Sequence, residues 1–269
     1  MRIEIQDLHF TYPGGVEALR GISLSIASGE QVALIGQNGS GKTTLVRHLN
    51  GLLRPTHGQV RIGDWDTADQ TVARLAARVG YVFQNPDEQL FCKTVQDEIV
   101  FGPKNLGYAT DRIETLVEDA LALTELADEK DTNPYDLSPT WRKMVAIASV
   151  VAMDTPLVIF DEPTTGQDAA SVQRIAGVVA SLRAHGKTVL TITHDIDFCA
   201  ENFERVIALS QGKVLLDGPV HEVIDQPETL AITYVDPPQL TRLGKSLGLG
   251  VPVRSKAEFL AAFRDLVGR

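Results

Sequence analysis

The sequence predicts an α/β fold: an open-sheet core with an N-terminal antiparallel β subdomain, an inserted helical subdomain and a small C-terminal tail. Three observations carry that expectation. Apolar runs at Val32–Ile35, Leu157–Phe160 and Thr188–Thr193 have the unbroken hydrophobicity of strands buried on both faces. The first run leads into the glycine-rich stretch Gly36-Gln37-Asn38-Gly39-Ser40-Gly41-Lys42-Thr43, and Thr43–Leu49 then has the apolar spacing of a helix. Between the first and second runs, residues 86–154 change to helical periodicity.

Taken along the chain, residues 1–30 alternate, with Ile22, Leu24 and Ile26 marking a sheet that buries one face. Residues 31–85 and 155–222 supply the buried core strands. In the insertion, Ile113, Leu116, Val117, Ala120, Leu121 and Leu123 follow helical spacing, and Met144–Met153 reads as a buried helix. After residue 225, Pro227, Pro237, Pro238 and Pro252 punctuate short segments. The stretch Lys256–Val267 then places Phe259, Leu260, Phe263 and Leu266 on one helical face. Such a stripe must pack against something, either its own core or a partner's equivalent tail.

The 269 residues suffice for one substantial core and a small appendage. With 43% hydrophobic and 22% charged residues the composition is ordinary for a globular chain. No apolar run is long enough to span a bilayer, and residues 1–10 alternate like a strand rather than a signal peptide. A net charge of −10 argues against non-specific binding to nucleic acid or anionic lipid. Cys92 and Cys199 lie far apart without metal or redox spacing, so reduced thiols are expected.

Strand, glycine-rich turn and helix together form a phosphate-binding context. Gly36, Gly39 and Gly41 allow the backbone to press close to an anion, and amides from Asn38 to Thr44 converge at the helix N-terminus. The predicted ligand is ATP, held by Gly36, Gln37, Asn38, Gly39, Ser40, Gly41, Lys42, Thr43 and Thr44. Lys42 is assigned to the β- and γ-phosphates and the Thr43 hydroxyl to Mg²⁺. Asp161 ends the second run, where it is expected to hold Mg²⁺, and the adjacent Glu162 to act as general base toward the attacking water. His194 follows the third run and is expected at the γ-phosphate. Gln84 ends Gly80-Tyr81-Val82-Phe83 and is assigned to Mg²⁺ or the attacking water, and Tyr12 to stacking on adenine.

In this order, the residues resemble an ABC-type ATPase subunit, over roughly residues 1–225. Phe83–Phe91, Thr94–Gly107 and Val145–Met153 are similar to the energy-coupling-factor (ECF) transporter ATPases, including those of cobalt and nickel importers. The resemblance implies an ATPase domain at 1–225, with its core at 1–85 and 155–225 and its helical subdomain at 86–154. It implies an extension at 226–269 that dimerises. It also implies ATP hydrolysis that powers uptake of a vitamin or of cobalt or nickel. The expected partners are a transmembrane coupling protein and a substrate-binding membrane protein, with no nucleic acid. The expected location is the cytoplasmic face of the membrane, reached through these partners. The surface near Gln84–Thr94, with the exposed pair Leu90-Phe91 as anchor, is the expected groove for a partner's helix.

One segment departs from the family. Leu137 and Ser138 are followed by Pro139, Thr140 and Trp141 where such ATPases carry Gly-Gly-Gln. Ser138 and Pro139 still make a sound helix start. The amides that would approach a partner's γ-phosphate are compromised, because proline donates none and tryptophan adds bulk. In a head-to-tail dimer each subunit lends this segment to the other's site. The departure therefore implies a heterodimer, with a second ATPase subunit whose signature is intact completing this chain's site. The alternative is a regulatory nucleotide-binding subunit with little turnover. After Glu162, Asp168 matches the family's cross-dimer contact, and Gln167 stands where leucine is usual.

Overall fold

A computed structural model describes residues 1–250 and 253–267, so Pro252 lies outside the described residues. The strands are β1 (Ile3–Thr11), β2 (Glu17–Ile26), β3 (Gln31–Ile35), β4 (His57–Ile62), β5 (Trp65–Asp66), β6 (Val79–Val82), β7 (Leu157–Asp161), β8 (Thr188–Ile192), β9 (Arg205–Ser210) and β10 (Lys213–Pro219). The helices are α1 (Lys42–Leu49), α2 (Val72–Leu75), α3 (Val95–Asn105), α4 (Thr110–Leu123), α5 (Pro139–Val151), α6 (Ala169–Ala184), α7 (Ile196–Asn202), α8 (Val220–Ile224), α9 (Pro227–Ile232), α10 (Gln239–Ser246) and α11 (Lys256–Val267). An antiparallel sheet runs in the order β2-β1-β4-β5, and a second sheet in the order β10-β9-β3-β8-β7-β6. In the second, β9, β3, β8, β7 and β6 are parallel and β10 pairs antiparallel to β9.

The unbroken apolar runs have a simple cause in the two cores. Alternate residues Val32, Leu34, Ile159 and Leu190 face a core shared with α1 and the antiparallel sheet. Their neighbours Ala33, Ile35, Val158, Phe160 and Val189 face a second core filled by α5, α6 and α7. A strand covered on both sides has no polar face to display. The region between residues 31 and 85 is not uniformly part of this buried sheet. Strands β4 and β5 return to the antiparallel sheet, where Val60 and Ile62 alternate with less buried positions.

Helix α5 is nearly engulfed, with Lys143 to Val150 all buried. Its start behaves as its residues dictate: the Ser138 side chain accepts the Trp141 amide, and Pro139 opens the first turn. The Trp141 side chain packs partly buried against the α5–α6 core, with the Arg174 guanidinium 4.8 Å from its ring. Arg174 also donates to Glu125, at 2.6 Å. The altered signature is thereby tied down within its own chain.

Two surface expectations need correction or completion. Leu90 is not exposed; it belongs to the core, and only Phe91 stands out, packed edge-on against Phe101 with ring centroids 4.7 Å apart. A short 3-10 turn at Pro86–Glu88, capped by Asn85, rotates Leu90 inward and Phe91 outward. In α11, no residue is buried, and Leu260, Phe263 and Leu266 remain exposed. Its stripe is not packed on the chain's own core.

Candidate active site

Because β3, β6, β7 and β8 run parallel, their C-terminal ends open on one edge of the sheet. Residues just beyond those ends meet there for topological reasons. A cavity of about 720 Å³ results, lined by Gly36–Gly39, Gly41–Thr44, Gln84, Asp161, Glu162 and His194 among others. Nearly all the residues assigned to ATP are thereby brought together. Ser40 and Tyr12 are not on its wall. Ser40 is buried beneath the loop. Tyr12 packs edge-on to Phe10, and its hydroxyl shares a 3.0 Å hydrogen bond with the Thr44 hydroxyl.

The loop's backbone demands glycine at particular points. Gly36 has φ 142, and a Cβ there would sit 2.2 Å from the Leu209 carbonyl oxygen. Gly41 has φ 106 and faces the Ala18 carbonyl oxygen, 2.8 Å from where a Cβ would lie. A left-handed residue with no room for a side chain can only be glycine. The reward is a helix start at α1 that no side chain caps, which leaves its amides for an anion. The Lys42 ammonium donates to the carbonyls of Gly36, at 2.6 Å, and Gln37, at 3.1 Å. Burial lowers its pKa, opposed by attraction to Glu162 and Asp161.

Across the cavity, Glu162 has φ 48, a strained turn that immediately follows β7. Its amide donates to the Ile192 carbonyl at 2.8 Å, locking the strand ends together. The His194 Nδ1 lies 2.8 Å from Glu162 Oε2, and the Thr165 hydroxyl donates to the same oxygen at 3.2 Å. Glu162 is buried while the His194 side chain is largely exposed. An oriented carboxylate backed by a histidine is an arrangement able to hold and deprotonate a water.

Asp161 is also buried, and burial raises its pKa, while the Tyr81 hydroxyl, donating at 2.5 Å, opposes the shift. Burial and the Asp161 charge push the Tyr81 hydroxyl pKa well up, so it remains a donor. Thr43, Gln84 and Asp161, which carry a hydroxyl, an amide oxygen and a carboxylate, all line the cavity. These are hard oxygen donors, the set that suits Mg²⁺ sharing its shell with phosphates. The residues present fit the ion.

Several cavity features were not read from the sequence. Tyr81 orients Asp161, and the only cue was its place in the run before Gln84. Tyr234, Val235, Asp236, Pro237, Gln239 and Arg242 also line the cavity. This segment is fastened by the Gln239 amide, which donates to Asp197 at 3.0 Å, and by Val235 in the core. Nothing in the local pattern of a proline-punctuated tail shows that it turns back to this edge. Asp168 is used locally, since its carboxylate accepts the Ser171 amide at 2.8 Å and caps α6.

Comparison with known proteins agrees with this geometry. A family model described as "ABC transporter" matches residues 19–165. A protein of Methanosarcina acetivorans named for an ABC transporter ATP-binding role is 41% identical over 251 residues; the match takes in 92% of this chain but only 41% of that relative. The energy-coupling factor transporter ATP-binding protein EcfA of Methanothermobacter thermautotrophicus is 39% identical over 231 residues, 85% of this chain and 74% of that one. Among solved structures, cbiO1 of Clostridium perfringens, part of the ABC transporter complex cbiONQ, superposes with a TM-score of 0.77 at 33% identity, covering 91% of this chain and 98% of that one. In this chain a phosphate loop at one sheet edge faces a glutamate–histidine pair across a cavity, and by its matches the chain belongs to the ABC transporter family, as one of its ATP-binding, ATP-hydrolysing cassettes.

Proposed function

We propose that this chain is the ATPase subunit of an ECF-type importer, working in a heterodimer with one competent composite site. The EcfA relative and the cbiO1 neighbour support the importer reading. Uptake of a vitamin, or of cobalt or nickel, is the proposed work. A transmembrane coupling protein and a substrate-binding membrane protein are the proposed membrane partners. Among the described residues no helix is long and apolar enough to cross a membrane, so attachment at the cytoplasmic face would run through them. Residues 1–225 form the proposed ATPase domain and residues 226–269 an extension whose open α11 stripe suits docking on a second ATPase.

In this reading the amides from Asn38 to Thr44 and the Lys42 ammonium receive the phosphates, and Tyr12 supports adenine. Mg²⁺, when bound by Thr43, Asp161 and Gln84, supplies charge neutralisation at the phosphates. Glu162 takes a proton from the attacking water, and His194 keeps the carboxylate aimed while facing the γ-phosphate. The observation that carries the proposal is the imbalance between two places. The Glu162–His194 pair is set at 2.8 Å opposite an uncapped phosphate loop. The signature end, by contrast, is closed by Ser138, Pro139 and an anchored Trp141.

The test is to purify the chain alone and with an ATPase subunit carrying an intact signature. Alone it binds Mg·ATP and turns over feebly; paired, it hydrolyses briskly, and Glu162→Gln in this chain lowers the paired rate by about 10²-fold or more. Brisk turnover by a pure homodimer would overturn the heterodimer. A paired rate indifferent to Glu162→Gln would instead leave this chain a regulatory subunit.

A further inference from the structure

Lys143 lies one turn into the signature helix α5 and is among the largest fully buried side chains, 1% exposed. A buried ammonium is costly unless its charge is met, and an apolar residue would fill the same space at no such expense. Among the described residues no carboxylate lies within ion-pair distance of it. Its Nζ instead donates to two backbone carbonyls, of Phe83 at 3.0 Å and of Gln84 at 2.5 Å. Burial lowers its pKa to about 8, while attraction to Asp161 and Glu162 opposes the shift.

The same loop is gripped a second time from α5. The Phe83 amide donates to Gln89 Oε1 at 3.0 Å, and Gln89 Nε2 donates to the Ala146 carbonyl at 2.7 Å and the Ser149 hydroxyl at 3.1 Å. Phe83 is therefore held at both its N–H and its C=O by groups fixed to one helix. Gln84, the next residue, has its carbonyl pinned by Lys143 while it lines the cavity. The N-terminus of that helix is the altered signature, tied by Trp141 to Arg174.

We propose that Lys143 is a positioning residue: its ammonium fixes the backbone of Gln84, so the position of the signature helix sets where Gln84 stands in the nucleotide cavity. This rests on the reading of Gln84 as a group that meets Mg²⁺ or the attacking water. A hydrogen bond from a charged donor, unlike apolar packing, has the directionality to hold a backbone carbonyl in one place.

The test uses the full chain with Lys143→Met, Lys143→Gln, Lys143→Arg and Gln84→Ala. Hydrogen exchange across residues 83–90 should quicken about tenfold in Lys143→Met, the loss of roughly one charged hydrogen bond, with the phosphate loop unchanged. The gain in ATP affinity on replacing EDTA with Mg²⁺ should shrink about tenfold in Lys143→Met, and Lys143→Arg should restore both readouts. Lys143→Met added to Gln84→Ala should cost no more than Gln84→Ala alone, since the two act through one group. Unaltered exchange in Lys143→Met, or losses that add, would overturn the proposal. If Gln84→Ala leaves the Mg²⁺ dependence intact, the reading of Gln84 fails, and the placement of the loop by Lys143 is decided by exchange alone. Failure of both Lys143→Met and Lys143→Gln to fold would also overturn it, by making Lys143 a support of the core.

Discussion

Two helix starts in this molecule were built from the same physics and put to opposite uses. At α1, Gly41 adopts a left-handed conformation, no side chain caps the first turn, and its residues line the cavity. At α5, Ser138 takes the Trp141 amide for itself and Pro139 contributes no amide at all. Both ends carry the same partial positive charge from the helix dipole. What differs is whether the chain has already consumed the donors. A helix N-terminus left open at some expense of stability is available to an anion, and one satisfied by its own side chains is good structure and poor recognition.

The largest expected effect comes from reopening the second start. Pro139→Gly, Thr140→Gly and Trp141→Gln together should raise turnover at the reciprocal site by about 10²-fold in the heterodimer, the value of one restored donor to developing charge. That holds if the partner keeps its own glutamate. The isolated chain should lose about 2 kcal/mol in denaturant titration, because Trp141 gives up its burial and its contact with Arg174. A stability loss with no gain in rate would break the comparison, by showing that something other than these donors limits that site.

Damaging each start in turn sharpens the contrast. Gly41→Ala forces a Cβ against the Ala18 carbonyl and the Leu19 side chain, with a loss of about 1–3 kcal/mol and a large drop in nucleotide affinity. Ser138→Ala removes only a cap, about 1 kcal/mol, and leaves nucleotide affinity of the isolated chain unchanged. Denaturation and nucleotide titration on the same two proteins separate a functional N-terminus from a structural one. A shared effect on affinity would merge them.

The smallest effect lies at the far end of the helical insertion. Asp154 has φ 54 and pairs with Lys187 at 2.5 Å and with Arg112 of α4 at 2.8 Å. Burial works against its ionisation, yet these two cations hold its carboxyl below the usual value. The folded value being depressed, the stabilisation is present above about pH 4 and is lost as the pH falls through the lowered value. Asp154→Asn, which keeps the left-handed backbone comfortable, should cost about 0.5–1 kcal/mol at neutral pH for this partly exposed pair. The difference from the native chain should shrink in urea titrations as the pH is taken below the ordinary carboxylate range. A constant difference across that range would remove the ion pair from the account.

Much of the site was legible in the residues because its logic is local. Glycines with φ 142 and 106, the lysine and threonine that follow them, and carboxylates at a strand end are dictated within a few residues by backbone sterics and strand periodicity. Parallel pairing then obliges Gln84, Glu162 and His194 to share an edge, so even their convergence follows once the strands are recognised. The reading failed where a side chain's direction depended on a turn, as at Leu90, whose burial comes from the 3-10 turn before it. It was blind where partners lie far along the chain: the Tyr81 hydroxyl on Asp161, the Lys143 ammonium on the Phe83 and Gln84 carbonyls, and the tail residues Tyr234–Arg242 on the cavity wall. The sequence alone determined which atoms can meet phosphate, since short-range geometry admits few residues there. Only the tertiary structure decided what holds those atoms in place, because long-range packing brings together groups that no local pattern relates.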